Sequence, residues 1–191
     1  MARLRLFVAL DLPEGLKQAI GEEMARADAS RGIRWASPQQ VHLTLKFLGH
    51  IEEDKLQKVV DLLAKAARSH PPMRLRLQGS GAFPSPAKAR VLWLGISGDL
   101  HELADLAKDI DAKMAKVGVD REKRRFKPHL TLARSKNPFD AESMVESWQE
   151  WMDEREDLDF KVGEVRLYRS FLKPSGPEYV GLAGFNLGGE G

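Results

Sequence analysis

Hydrophobic and polar residues follow a two-residue period, which is typical of strands, in several stretches of the chain. The strands are predicted over residues 3–10, 73–78 and 90–97, near 159–169 and near 177–187. The turn-rich segment FPSPAK separates the second of these stretches from the third. The pattern therefore predicts strands distributed over the whole chain.

Apolar residues recur at helical spacing in four segments between or beside the strands. The helices are predicted after Pro13, over 52–68, from Asp99 to Gly118 and near 140–152. The third helix has the clearest ends, because Asp99 and Glu102 form a capping-box pattern and Gly118 supplies a stop. Residues 30–38 are rich in Gly, Pro and Ser, and we expect them to form a loop.

The tetrapeptide His-Leu-Thr-Leu occurs at 42–45 and again at 129–132, once in each half of the chain. In a strand, each histidine shares a face with the threonine two residues later, about 6.6 Å along the strand. The leucines point to the other face and can anchor each strand in the core. The repeat indicates two related halves about a pseudo-twofold axis.

If the two strands lie side by side, His42, Thr44, His129 and Thr131 face one another across a cleft. Two imidazoles suit acid–base chemistry at a phosphodiester, because one accepts a proton while the other donates one. The threonine hydroxyls can donate hydrogen bonds to the non-bridging oxygens. One histidine in a strand is more often structural, but a second copy reverses that preference. A metal site is disfavoured, since neither motif has Asp, Glu or Cys at ligand spacing.

The composition is that of a soluble globular protein and narrows the possible partners. The chain has 191 residues, of which 42% are hydrophobic and 30% charged, and it has no cysteine. No disulfide, thiol nucleophile or cysteine-ligated zinc is therefore expected. A net charge of +2 disfavours indiscriminate coating of nucleic acid but allows a local basic site. No stretch is apolar enough to cross a bilayer, so we expect a cytoplasmic protein without a membrane partner.

Five longer segments extend the pattern beyond the repeated motif. They are RLFVALDLP, GIRWASPQQVHLTLKFLG, FPSPAKARVLWLGI, RFKPHLTLAR and SFLKPSGPEYVGL. Together they resemble the two-histidine phosphoesterases, and within them the RNA 2′,3′-cyclic phosphodiesterases, also called 2′-5′ RNA ligases. The resemblance implies one bilobed α+β domain over residues 1–191, with two mainly antiparallel sheets related by a pseudo-twofold axis. Helices would cover the outer faces, and the active-site cleft would lie between the sheets.

The resemblance also implies a reaction and its residues. His42 would be the general acid toward the leaving 3′ oxygen and His129 the general base toward water, while Thr44 and Thr131 hold the phosphate. Ligation would be the reverse reaction, with a 5′-hydroxyl in place of water. No cofactor is implied, and the chain lacks both a G-x-x-x-x-G-K-[ST] loop and a K-x-D-G motif. The implied partner is RNA with a 2′,3′-cyclic phosphate terminus, single-stranded or tRNA-derived, bound by a monomer.

Arg134 is the strongest further candidate for phosphate binding, because the resemblance places an arginine there beside the phosphate. Strict alternation would put its side chain on the Leu130 face, so the strand must end or bulge before it. By the same alternation Lys46 shares the His42 face and is a weaker candidate for RNA contact. Phe47 is expected to face the core.

Four other residues are weaker candidates for contact with RNA. Arg125 and Lys127 belong to a basic run that is as readily a solvated loop as a phosphate-binding one. Trp35 and Tyr179 could stack on bases, as aromatic side chains often do with single-stranded RNA. Core packing is the preferred interpretation for Phe126.

Two alternative functions remain open from the sequence. One is a phosphodiesterase that acts on a small cyclic phosphate or a 2′-5′-linked nucleotide, which a substrate series of increasing chain length would distinguish. The other is a non-catalytic protein that binds RNA ends, in which substitution of His42 would affect turnover no more than binding.

Overall fold

The computed structural model describes residues 2–27 and 32–188, which form nine β-strands and four α-helices. The strands are β1 (Arg3–Asp11), β2 (Ile33–Trp35), β3 (His42–Glu52), β4 (Met73–Phe83), β5 (Ala89–Gly98), β6 (His129–Phe139), β7 (Asp159–Val162), β8 (Glu164–Lys173) and β9 (Gly176–Asn186). The helices are α1 (Glu14–Arg26), α2 (Leu56–Arg68), α3 (Leu100–Ala115) and α4 (Glu142–Asp153). Each predicted helix is present. Within the described ranges, none of them has the length and hydrophobicity that a membrane crossing requires.

The strands form a single sheet in the order β7-β4-β5-β6-β3-β1-β8-β9, and β2 also pairs with β6. All pairings among the described strands are antiparallel. The sheet has two similar halves on either side of the central pair β6 and β3. Counted outward from that pair, β5 occupies the same place as β1, β4 the same place as β8, and β7 the same place as β9. The predicted α+β class with antiparallel pairing is therefore confirmed. The two predicted sheets are the two halves of one continuous sheet, joined where β3 meets β6.

One hydrophobic core includes residues from all four helices and from alternate positions of the strands. In β1, Leu6 and Val8 point into it, as the two-residue period predicts. The helices bury apolar stripes against the same face of the sheet, and Val59, Leu63 and Leu106 are fully enclosed there. The polar and aromatic residues between the core positions of the strands are thereby left on the opposite face, where the histidines lie.

Two of the predicted boundaries are wrong because strand pairing overrides local composition. The predicted loop 30–38 contains β2, which is extended because it pairs with β6; residues 30 and 31 lie outside the described residues. The predicted strand 159–169 is two strands, divided at Gly163. Of these, β7 pairs with β4 in one half of the sheet and β8 with β1 in the other.

The start of α3 also differs from the prediction. The Asp99 side chain makes no capping hydrogen bond to its own helix. Its Oδ2 instead accepts a hydrogen bond of 2.7 Å from the backbone N–H of Arg74 in β4. The carboxylate thus ties the helix to the neighbouring strand rather than closing a capping box.

A β-bulge interrupts the first HLTL strand directly after its threonine. Thr44 pairs with Ala9 of β1, but Lys46, two residues further on, pairs with the adjacent Val8. Leu45 is therefore an extra residue, and the alternation of faces reverses beyond it. Lys46 consequently shares the core-facing side with Val8.

The second HLTL strand has a bulge at the equivalent position. Thr131 pairs with Trp93 of β5, and Ala133 pairs with the adjacent Leu92. Leu132 is the extra residue here. Both motifs thus have the same local geometry, in which the fourth residue reverses the alternation of the strand.

We predict that the join between the two halves is sensitive to loss of volume. Leu130 is fully buried opposite Leu43 at this join, so Leu130→Ala should lower the free energy of unfolding by about 2–5 kcal/mol. Urea unfolding followed by circular dichroism measures the change. Leu172→Ala is the matched control, because Leu172 is 72% exposed and its loss should change stability by less than about 0.5 kcal/mol. Equal effects of the two substitutions would contradict this account.

Candidate active site

His42 lies at the start of β3 on the face of the sheet opposite the core, within a group of aromatic rings. Its ring centroid is 4.9 Å from that of Phe7 and 5.4 Å from that of Tyr179, which meets it edge-on at 85°. Phe7 also stacks on Tyr168 at 5.2 Å. These rings fix the plane of the imidazole and remove much of it from water.

His129 has a simpler environment at the start of β6. Its ring meets Phe83 at the end of β4 edge-on, with centroids 5.3 Å apart and planes at 85°. Phe83 in turn packs against Trp93 at 5.3 Å. Each histidine therefore rests on aromatic rings from its own half of the sheet, and the two halves use different residues for this purpose.

Both imidazoles are oriented by a backbone carbonyl two residues earlier. His42 Nδ1 lies 2.7 Å from the carbonyl oxygen of Gln40, and His129 Nδ1 lies 2.8 Å from that of Lys127. A carbonyl oxygen only accepts, so Nδ1 carries the proton in each ring and Nε2 is the nitrogen that gains or loses one. His42 Nε2 is 2.9 Å from Thr44 Oγ1, whose hydroxyl donates to the neutral ring.

The register between β3 and β6 brings the two motifs together. Leu43 lies opposite Leu130 in this antiparallel pair. The residue before Leu43 therefore lies opposite the residue after Leu130, and the residue after Leu43 lies opposite the residue before Leu130. His42 is therefore beside Thr131, and Thr44 is beside His129. The histidines are diagonal neighbours, a position that places their Cα atoms about 7–8 Å apart.

A cleft of about 1510 Å³ surrounds this arrangement, and we call it the active-site cleft. All ten residues proposed from the sequence line it. They are His42, Thr44, His129, Thr131, Arg134, Lys46, Arg125, Lys127, Trp35 and Tyr179. Trp35 is half-buried and pairs with Ala133, whereas Arg125 and Lys127 are exposed at the wall.

Arg134 can reach the phosphate only if its strand ends or bulges before it, and the strand does bulge there. The bulge at Leu132 reverses the alternation, so Arg134 is exposed and lines the active-site cleft. Burial lowers the pKa of His42 and raises that of Tyr179; the positive charge of Arg134 adds to the first shift and opposes the second. The second half of the sheet thus supplies a cation to the first half's histidine.

Lys46 and Phe47 lie on the faces opposite to those that strict alternation predicts. The bulge at Leu45 turns Lys46 toward α3, where only 8% of its side chain is exposed and Nζ lies 2.6 Å from Asp111 Oδ1. Although Lys46 lines the cleft, its charge is already paired with Asp111, which disfavours a contact with RNA phosphates. Phe47 is 61% exposed on the His42 side, 6.0 Å from Phe7. Its assignment to the core is wrong.

Burial sets the protonation preference of His42. Removal from water lowers its pKa from the ordinary value of 6.5, and this is the largest of the effects on it. The Gln40 carbonyl and the Asp11 carboxylate act in the opposite direction, while Lys17 and Arg134 add to the lowering. In the unliganded protein the neutral imidazole is therefore favoured.

Several residues that support the site were missed from the sequence. Phe7 had a signal, because it is a large aromatic residue on the face of β1 that also carries Arg3, Arg5 and Asp11. Phe83 stands in the FPSP segment, where its neighbours suggested only a turn. The carbonyls of Gln40 and Lys127 have no sequence signal, since any residue supplies one. Among residues 2–27 and 32–188, no group of three or more His, Cys, Asp or Glu residues is placed to hold a metal ion.

One protein family is similar in sequence to the part of this chain that contains both HLTL motifs. The profile of the 2′-5′ RNA ligase superfamily matches residues 16–171. The chain belongs to the 2′-5′ RNA ligase superfamily. The resemblance inferred from the five sequence segments is thereby confirmed.

Individual proteins and solved structures are similar to this chain over almost its entire length. The RNA 2′,3′-cyclic phosphodiesterase of Methanothermobacter thermautotrophicus is 34% identical over 97% of this chain and 100% of its own. A crystal structure of a Thermus thermophilus protein superposes with a TM-score of 0.79 at 32% identity, covering 98% of this chain and 100% of that one. E. coli LigT complexed with 3′-AMP gives 0.76 at 26% identity, covering 97% and 99%.

We predict that the pKa of His42 is low in the free protein and rises when an anion binds. Burial disfavours the imidazolium, whereas a phosphate placed beside Nε2 stabilises it. Imidazole ¹H–¹⁵N NMR across a pH titration, with and without a nucleoside 2′-monophosphate, measures both midpoints. The same shift makes the free energy of unfolding fall as the pH drops below 6.5, because the unfolded chain binds the proton more tightly. A midpoint at or above 6.5 in the free protein would contradict this assignment.

Proposed function

We propose that this protein hydrolyses 2′,3′-cyclic phosphate ends of RNA to 2′-phosphomonoesters, with His42 and His129 as an acid–base pair. One observation carries the proposal. Each imidazole has its Nδ1 fixed by a backbone carbonyl, which leaves Nε2 to exchange the proton at the join between β3 and β6. Such a pair can take a proton on one side of a phosphorus atom and supply one on the other.

The relatives support the choice of substrate. Proteins of Methanothermobacter thermautotrophicus, Archaeoglobus fulgidus and Thermus thermophilus that are 34–35% identical to this chain are all named RNA 2′,3′-cyclic phosphodiesterase. Each is matched over more than nine-tenths of its own length. A cyclic phosphodiesterase is therefore the activity that fits this chain best.

In the proposed reaction, neutral His129 removes a proton from water as the water oxygen attacks phosphorus. The bond from phosphorus to the 3′ oxygen breaks, and protonated His42 gives its Nε2 proton to that oxygen. The products are a 3′-hydroxyl and a 2′-phosphate. Because burial favours neutral His42, we propose that the negative charge of the cyclic phosphate brings the proton to it when the substrate binds.

Three further residues are proposed to hold the phosphate. Thr44 and Thr131 lie beside the opposite motif's histidine, so their hydroxyls can donate to the non-bridging oxygens from both halves of the sheet. Arg134 supplies a charged donor from β6 at the place that the bulge exposes. Charge that accumulates on phosphate oxygens in the transition state is thus stabilised from three directions.

Ligation is proposed as a second activity of the same site, which the name of the superfamily favours. A 5′-hydroxyl would replace water as the nucleophile at the cyclic phosphate and form a 2′-5′ linkage. The ring-opening of the cyclic ester supplies the driving force, so no nucleotide triphosphate is consumed. The acid and base need no rearrangement, because water and a primary hydroxyl lose a proton in the same way.

We predict that each histidine is needed for turnover. His42→Asn and His129→Asn should each lower kcat/KM by about 10²- to 10⁴-fold on an oligonucleotide with a 2′,3′-cyclic phosphate end, in buffer containing EDTA. Chromatographic separation of cyclic and opened products measures the rate. His101→Asn is the control, since the His101 side chain is 85% exposed on α3 and should be dispensable. Wild-type rates in either active-site variant would exclude the pair.

A separate prediction concerns Arg134. Arg134→Met should lower kcat/KM on the same substrate by about 10- to 100-fold, because a charge-assisted hydrogen bond to the phosphate is lost. Steady-state kinetics at constant ionic strength measure the loss. Lys136→Met is the matched control, because Lys136 is an exposed cation on the same strand outside the cleft. If the two substitutions have equal effects, Arg134 acts only through the overall electrostatic field of the protein and not through a hydrogen bond to the phosphate.

A further inference from the structure

A buried ion pair lies beneath one wall of the active-site cleft. Asp111 Oδ1 is 2.6 Å from Lys46 Nζ and accepts a 2.9 Å hydrogen bond from the backbone N–H of Glu122. Its Oδ2 accepts a 2.5 Å hydrogen bond from Arg121 Nε. Lys46 Nζ also donates to the backbone carbonyl of Asp120 at 2.8 Å. The pair therefore binds three consecutive residues of the segment that follows α3.

That segment has few other attachments. Residues 120–128 lead into β6 and contain neither helix nor strand. In the described part of the chain, no backbone–backbone hydrogen bond joins them to their surroundings. The contacts of Asp111 and Lys46 fix the beginning of the segment, and the hydrogen bond from His129 Nδ1 to the Lys127 carbonyl fixes its end.

The same segment carries most of the positive charge along this wall. Residues 120–127 include five basic and two acidic side chains. Arg124, Arg125 and Lys127 are exposed and line the cleft, and none of them forms an ion pair with another described residue. Their charges are thus available to a polyanion that extends from the histidines along the wall.

We propose that Asp111 and Lys46 are positioning residues that hold this basic segment where it binds the phosphates preceding the cyclic end of an RNA strand. The inference rests on the proposed function and specifies its substrate as a strand of several nucleotides. A cyclic mononucleotide has no upstream phosphate and gains nothing from the segment. A longer strand presents one phosphate per nucleotide, and each can bind a fixed cation with less loss of conformational entropy than a mobile one.

An equivalent pair in the first half supports this role. Lys17, also 8% exposed, lies 2.6 Å from Asp11 and donates to the backbone carbonyl of Gln39 at 3.2 Å. Gln39 precedes the carbonyl that orients His42. In both halves, a buried lysine joins an aspartate to a backbone carbonyl of the segment that leads to the histidine.

Binding of short RNAs with 2′-phosphate ends tests the proposal without requiring turnover. Fluorescence anisotropy would compare a dinucleotide with an octanucleotide. Asp111→Asn should weaken octanucleotide binding about tenfold and dinucleotide binding less than about twofold. Each phosphate contact with a single strand contributes about 0.7 to the slope of log Kd against log salt concentration. Loss of three such contacts should therefore make that slope shallower by about 2. Lys46→Met should act in the same direction.

Asp109→Asn is the matched control. Asp109 lies two residues before Asp111, on another side of α3, and pairs with Lys113 and His70 outside the cleft, so its loss should leave both probes unaffected. If Asp111→Asn does not fold, the double variant Lys46→Met/Asp111→Asn removes both buried charges together. The proposal is overturned if Asp111→Asn affects both probes equally, affects neither, or is matched by Asp109→Asn. Hydrolysis of a cyclic mononucleotide by the wild type tests the proposed function separately.

Discussion

The pairing of β3 with β6 is the contact on which the rest of the site depends. Leu43 and Leu130 face each other there, fully buried, and join the two halves of the sheet. Because the strands are antiparallel, this one register places each histidine beside the other motif's threonine. A shift of either strand by one residue would turn its own histidine toward the core. Apolar burial on one face therefore sets the geometry of the polar chemistry on the other.

A bulge after each threonine makes the two halves chemically different. Phe47 and Arg134 occupy equivalent positions beyond the bulges, and both face the active-site cleft. The first half surrounds His42 with aromatic rings, whereas the second half supplies the cation Arg134 to the cleft. Lys46, displaced to the core side by the first bulge, binds Asp111 and through it the basic wall. A pseudo-symmetric scaffold thus provides an asymmetric site, as an asymmetric substrate requires.

Periodicity in the sequence predicts most of the fold, because the buried faces of β1, α2 and α3 are continuous apolar patterns. Periodicity fails where contacts with a distant strand set the structure of a segment. Examples are the extended conformation of β2, the break between two strands at Gly163 and the hydrogen bond from β4 to Asp99. The repeated motif predicts four residues of the candidate site. Lys46 and Phe47 are misplaced because a bulge leaves no mark in the period of a single strand. The backbone carbonyls that orient the histidines could not be predicted, because every residue has one.

The central claim is that two imidazoles open a cyclic phosphate by transferring protons to and from its oxygens. The most direct measurement is ³¹P NMR of the product that the EDTA-treated protein forms from an oligonucleotide ending in a 2′,3′-cyclic phosphate. The account predicts a 2′-phosphomonoester as the sole product, because His42 protonates the 3′ oxygen as it leaves. A 3′-phosphomonoester, or a ring that stays closed until a metal ion is restored, would contradict it.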